Sequence, residues 1–175
     1  MNIAVFFHIW KVNNWETIYR EVYDSFKKSK LIEASDLIID SYSSKGKLYE
    51  FPTLRMLHCF SKIYRNYFIL YVHTKGVSKP GNARMDSWRR EMVYNNIENW
   101  AKNIENLNNY DTIGVRYRNR PSSHWSGNFW WARSDYIATL PDVEEARQWR
   151  SDIRFKAESW LFHNNPRYLE IRDVG

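Results

Sequence analysis

Four stretches of this chain carry side chains whose types and spacing could do chemistry. In Tyr71-Val72-His73-Thr74-Lys75-Gly76 an apolar run ends in an imidazole, a hydroxyl, a point cation and a glycine. Such a lysine suits a phosphate, and the glycine lets the backbone turn sharply or approach a ligand. Taken alone, the same string also describes a solvated strand edge. It is not a phosphate-cradling loop, because the Gly-x-x-x-x-Gly-Lys spacing is absent. The second stretch runs from His124 through Trp125, Ser126, Gly127, Asn128, Phe129, Trp130, Trp131 and Ala132 to Arg133. Gly127-Asn128 at the head of a strand would admit a ligand close to the backbone. The indoles offer flat faces to a sugar or base, with core packing as the competing role for each ring. Glu158, amid helix-forming apolar residues, is either a general base or a carboxylate paired with arginine. Arg116-Tyr117-Arg118-Asn119-Arg120 interleaves cations with a ring. It could bind single-stranded nucleic acid by charge and stacking, hold a phosphorylated donor or acceptor, or be a solvated loop.

Other chemistries lack their motifs. His-Glu-x-x-His, Gly-x-Ser-x-Gly and the dinucleotide fingerprint are absent, as is an Asp-x-Asp metal clamp. The lone cysteine, Cys59, excludes an internal disulfide and a Cys-rich zinc site, and its neighbours Met56, Leu57 and Phe60 suggest a small buried hydrophobe. No apolar run approaches the ~20 residues that cross a bilayer. The start lacks a basic leader region, so a cytoplasmic, reducing setting is expected. The formal net charge of +6 attracts anions without selecting among nucleic acid, lipid headgroups and nucleotide diphosphates.

The elements that must position these groups alternate. Strands are expected at residues 3–9, 37–39, 67–72, 111–115, 127–132 and 169–171. A helix capped by Asn13 or Asn14 carries Trp15, Ile18, Val22 and Phe26 at helical spacing. Another starts at Pro52 and runs to about Tyr64. A long one follows Arg84 with Trp88, Val93, Ile97, Trp100, Ile104 and Leu107 as its seam. Short helices are expected around Tyr136 and Leu140 and over residues 155–163, with loops at residues 41–46 and 116–125. At 43% hydrophobic and 26% charged residues the composition is globular, and 175 residues without a linker or repeat suit one domain. Alternating strands and helices imply an α/β sandwich with a mainly parallel sheet, which binds ligands beyond the carboxyl ends of its strands.

In combination, His73-Thr74-Lys75-Gly76, Trp88-Arg89, Tyr110-Asp111-x-x-Gly114, His124-x-Ser126-Gly127-Asn128-Phe129-Trp130-Trp131-Ala132, Tyr136-x-x-x-Leu140-Pro141 and Glu158-x-Trp160 resemble a group of small glycosyltransferases. These occur in bacterial polysaccharide clusters and large algal viruses and are related to the rhamnan synthesis protein F family. The match spans roughly residues 51–162. The resemblance implies a GT-A-type fold, a Rossmann-like three-layer sandwich that moves a sugar from a nucleoside diphosphate, UDP first among them, to a glycan or other hydroxyl acceptor. It implies that His73, Thr74, Lys75 and Gly76 lie where the donor diphosphate is held, with Arg116 or Arg133 as helper cations. Gly127 and Asn128 would line the donor sugar. His124, Trp125, Trp130 and Arg116 would meet the acceptor or sugar, and Glu158 would be the base. The missing Asp-x-Asp leaves Mn²⁺ or Mg²⁺ dependence open. The resemblance implies no nucleic-acid partner and leaves peripheral membrane association open. A nucleic-acid-binding module and an inactive sugar-binding relative are the competing readings.

Overall fold

The computed structural model describes residues 2–43, 48–146 and 153–171. Its elements follow in order: β1 (Asn2–Trp10), α1 (Trp15–Lys28), α2 (Leu31–Ala34), β2 (Leu37–Ser43), α3 (Phe51–Ile63), β3 (Tyr67–His73) and α4 (Ala83–Val93). A π-helical turn (Tyr94–Glu98) leads into α5 (Trp100–Asn106). Then come β4 (Thr112–Gly114), β5 (Tyr117–Arg118), β6 (His124–Trp125), β7 (Trp130–Arg133), α6 (Ser134–Ile137), α7 (Val143–Ala146), α8 (Ile153–Ser159), a 3₁₀ turn (Trp160–Phe162) and β8 (Tyr168–Glu170).

Among the described residues six strands form one sheet in the order β2-β1-β3-β7-β4-β8, and β5 with β6 makes a separate ribbon. β1 runs parallel to β2 and β3, and β4 parallel to β8, while β7 is antiparallel to both of its neighbours. The molecule is thus α/β with a mostly parallel sheet. The period-2 alternation of strands sends side chains to two cores. Ile3, Val5, Phe7, Phe68, Leu70, Val72 and Trp131 pack on one side with Val22, Phe26 and Ile97. Ala4, Phe6, Ile69, Tyr71, Trp130 and Ala132 pack on the other with Leu54, Leu57, Leu140 and Trp160. Burial on both faces is why β1 and β3 read as continuous apolar runs. Among the described residues no helix is long and apolar enough to cross a membrane.

Several local expectations change. β2 continues to Ser43 because the long β1 offers it a pairing partner as far as Trp10. Asn14 sits at the amino end of α1 without a side-chain cap bond, and Asn13 instead donates to the carbonyl of Val77 at 2.9 Å. The segment expected as a loop over residues 116–125 contains the β5–β6 ribbon. Gly127 and Asn128 are not in a strand; both have positive φ, 97° and 57°, and turn the chain into β7. Cys59 is exposed, since α3 buries Phe51, Leu54, Leu57, His58 and Ser61 and turns Cys59 outward.

The long helix is interrupted by its asparagines. Asn95 and Asn96 donate back to the carbonyls of Glu91 and Met92, competing with the helical ladder. Their own carbonyls are taken from outside the ladder, by Asn103 Nδ2 at 2.8 Å and by the Trp131 indole at 2.7 Å. A π turn widens the helix to allow this.

Candidate functional site

A cleft of about 250 Å³ opens at the carboxyl ends of β1, β2 and β3, with His8, Trp10, Ser43 and His73 on its walls. The turn after β3 supplies Thr74, Lys75 and Gly76, and the next loop adds Lys79. Two bonds hold the β1 and β3 ends together: Thr74 N–H donates to the His8 carbonyl at 3.1 Å, and Trp10 N–H to Thr74 Oγ1 at 3.0 Å. Arg89 clamps the turn from behind. It donates to the Lys75 carbonyl at 3.1 Å and is itself held by Glu21 and Asp86. Gly76 has φ 90°, and a Cβ there would stand 3.1 Å from the Arg89 guanidinium, so both backbone angle and space call for glycine. Lys75 is only 5% exposed, its ammonium 4.2 Å from the centre of the Trp88 ring. A desolvated cation over an indole is held in place before any anion arrives.

A polar network lies under this cleft. Glu50, on the cleft wall just before α3, approaches His73 Nε2 at 3.4 Å and accepts from Asn128 Nδ2. Asn128 Oδ1 accepts from the Trp130 indole at 2.8 Å. His73 Nε2 lies 2.8 Å from the Gly127 carbonyl, so it carries the proton and donates. His8 bonds Thr53 Oγ1 at 2.7 Å, and burial pushes its pKa down to about 4, against the pull of Glu50, so its ring is neutral at pH 7. Tyr71 is fully buried; burial first, then the fields of Glu50 and Glu158, drives its hydroxyl well above the ordinary tyrosine value. Among the described residues its oxygen has no hydrogen-bond partner, nor has the Trp10 indole nitrogen at the cleft wall.

The residues singled out from the sequence separate into groups. His73, Thr74, Lys75 and Gly76 line the cleft together. Gly127 and Asn128 stand behind it, touching His73 and Glu50; Asn128 is 1% exposed and orients its neighbours rather than lining the cleft. Glu158 is 9% exposed, next in sequence to the cleft residue Ala157, with His124 Nε2 3.7 Å from its carboxylate. The assignments of Trp125, Trp130 and Arg133 are corrected. Trp125 and Trp130 are both 1% exposed, Trp125 against Phe162 and Trp130 stacked on Tyr71, so neither ring is open to a sugar. Arg133 pairs with Phe68 at the amino end of β3, because β7 runs antiparallel, and it binds Asp135 away from the cleft. Arg116 pairs with Glu91 and lines a second groove of about 300 Å³ with Arg84, Ser87, Trp88, Arg118 and Ser126.

Glu50 and His8 escape a reading by motif. Glu50 precedes a helix that Pro52 announces, but only the fold carries that helix start to the end of β3. Among the described residues no group of three or more His, Cys, Asp or Glu side chains could hold a metal ion. Glu50 and His73 together offer two donors, fewer than the three protein ligands of a typical catalytic zinc site.

A family model, Domain of unknown function (DUF8361), matches residues 11–169, nearly the whole length. The chain belongs to the DUF8361 family. No curated protein and no solved structure matches it. The matched span contains the cleft turn, the Asn128 network and Glu158, while His8 and Trp10 lie before it.

Proposed function

We propose that the protein is a glycosyltransferase that takes a sugar from a nucleoside diphosphate in this cleft and passes it to a hydroxyl acceptor. The observation that carries the reading is the cleft itself: it lies at the carboxyl ends of parallel strands and joins Lys75, Lys79 and a glycine turn to the carboxylate of Glu50. Open α/β sheets bind their ligands at that edge. The sheet order and the turned-back strand β7 are compatible with the GT-A-type sandwich that the sequence resemblance implies.

The chemistry follows from charge. Departure of a nucleoside diphosphate builds negative charge on its β-phosphate. Lys75, immobilised over Trp88, stabilises that charge without reorganising. Glu50 holds His73 and Asn128, fixing the wall against which the sugar rests. Glu158, beside His124, takes the proton of the attacking hydroxyl. Holding donor and acceptor together contributes orientation.

The test is binding before turnover. UDP, then other nucleoside diphosphates and their sugars, are titrated with and without Mn²⁺ while the melting temperature is followed. UDP is expected to raise it, and Lys75→Ala to shrink the shift. No shift with any nucleotide sugar at about 1 mM, tenfold above a 0.1 mM Kd, would remove the proposal.

A further inference from the structure

Two basic spaces each bring a cation to the Trp88 ring. The ammonium of Lys75, a cleft residue, lies 4.2 Å from its centre, and the Arg116 guanidinium lies 5.4 Å from it. The second space is the groove formed by Arg84 on α4, Arg116 before β5 and Arg118 on β5, with the hydroxyl-bearing Ser87 and Ser126 between them. Among the described residues the acid facing this set is Glu91, which accepts from Arg116 Nε at 2.9 Å. Asp86 on the same helix is engaged with Arg89 instead. Arg84 and Arg118 are exposed. Three guanidinium groups against one carboxylate leave the groove with a net positive charge. The buried indole nitrogen of Trp88 also has no acceptor among the described residues. That nitrogen is closed to solvent, so its N–H signal reads changes around the ring rather than a bond to an anion.

We infer that this groove is a second anion site that holds a phosphoryl group. Arginine forks match the geometry of a phosphate bidentately, and serine hydroxyls complete its coordination. A sulfate-sized group fits a space of about 300 Å³ with room for the residue that bears it. Because Lys75 of the cleft and Arg116 of the groove approach the same Trp88 ring, a phosphoryl group here and a diphosphate there would be held close together. Resting on the transferase reading, the occupant is the acceptor: a phosphorylated sugar or a phosphate-bearing lipid rather than a neutral glycan. The phosphate site itself does not depend on that reading.

The indole N–H signal of Trp88 in ¹H–¹⁵N spectra, identified by its loss in Trp88→Phe, reports on both spaces. Inorganic phosphate is titrated into the wild type, Arg84→Gln/Arg118→Gln and Lys75→Ala, first alone and then with saturating UDP. The expected result is a saturable shift that survives UDP and Lys75→Ala and weakens about tenfold or more in the arginine variant, whose exposed positions leave folding intact. Glucose 1-phosphate and vesicles containing phosphatidate then distinguish a soluble from a lipid-borne acceptor. No shift at up to about 10 mM phosphate would overturn the inference. So would a response abolished by UDP or by Lys75→Ala alone, since that places the anion in the cleft. Tighter binding of a single-stranded oligonucleotide than of the phosphomonoester would overturn it in favour of nucleic acid. If phosphate binds as expected while UDP moves neither the Lys75 amide nor the melting temperature, the transferase reading fails and the anion site stands.

Discussion

Asn128 shows how one residue carries both backbone and network. Its φ of 57° is a left-handed conformation, its amide nitrogen reaches Glu50 and its oxygen accepts the Trp130 indole inside the core. Asn128→Ala adds left-handed strain and strands the indole donor, so a loss of about 2–4 kcal/mol is expected by urea denaturation. Asn128→Gly restores the backbone freedom alone and should recover about 1 kcal/mol of it. Equal losses in the two variants would show that the turn carries no strain. His8 makes a prediction of a different kind. Burial holds its folded pKa at about 4 against an ordinary 6.5. Above pH 6.5 the ring is neutral in both states and its contribution is complete. As pH falls through 6.5 the unfolded chain binds a proton that the folded one refuses, so stability declines and levels off only near pH 4. The whole window amounts to roughly 3 kcal/mol. His8→Gln should flatten this acid limb, and a wild-type-minus-variant difference that stays constant from pH 7 to 4 would assign the titration elsewhere.

At the scale of elements, the alternation of strands and helices is legible because each apolar stretch has one period and ends in a recognisable breaker, as Pro52 begins α3 and His73-Thr74-Lys75-Gly76 ends β3. What escapes is anything decided by a partner remote in sequence. The seam from Trp88 to Leu107 reads as one helix, since only tertiary contacts from Asn103 and Trp131 make the asparagine carbonyls worth releasing from the ladder. Cys59 reads as buried from its apolar neighbours, whereas the face of α3 that meets the sheet leaves it outside. The interrupted helix gives a prediction against propensity. Leucine is the better helix former, yet Asn103→Leu is expected to destabilise by about 1–3 kcal/mol, because the Asn95 carbonyl loses its donor in a closed environment. Chemical denaturation decides it, and a stabilised variant would mean that water satisfies that carbonyl.

Across the whole molecule, the direction of a single strand decides which sequence-adjacent groups share the cleft. A strand buried on both faces has the same apolar run whichever way it points, so the sequence of β7 does not reveal that it is antiparallel. That reversal brings Gly127 and Asn128 to the carboxyl end of β3, beside His73, and sends Arg133 to the other end, beside Phe68. The cleft turn was legible because a polar string closed a strand; Glu50 was not, because its proximity to His73 exists only after α3 packs against the sheet. From the far end of the chain, α8 sets Ala157 on the cleft and Glu158 beside His124. If Glu158 is the base for the acceptor hydroxyl, it contributes to transfer and not to holding the donor diphosphate. Glu158→Gln preserves the shape and removes the charge, so the UDP-induced rise in melting temperature should match that of the wild type. The turnover number should meanwhile fall by about 10²–10⁴-fold, the range of a lost general base. Unchanged turnover would pass the role to Glu50, the carboxylate on the cleft wall. A lowered melting temperature without nucleotide would make the Glu158–His124 pair a structural tie instead.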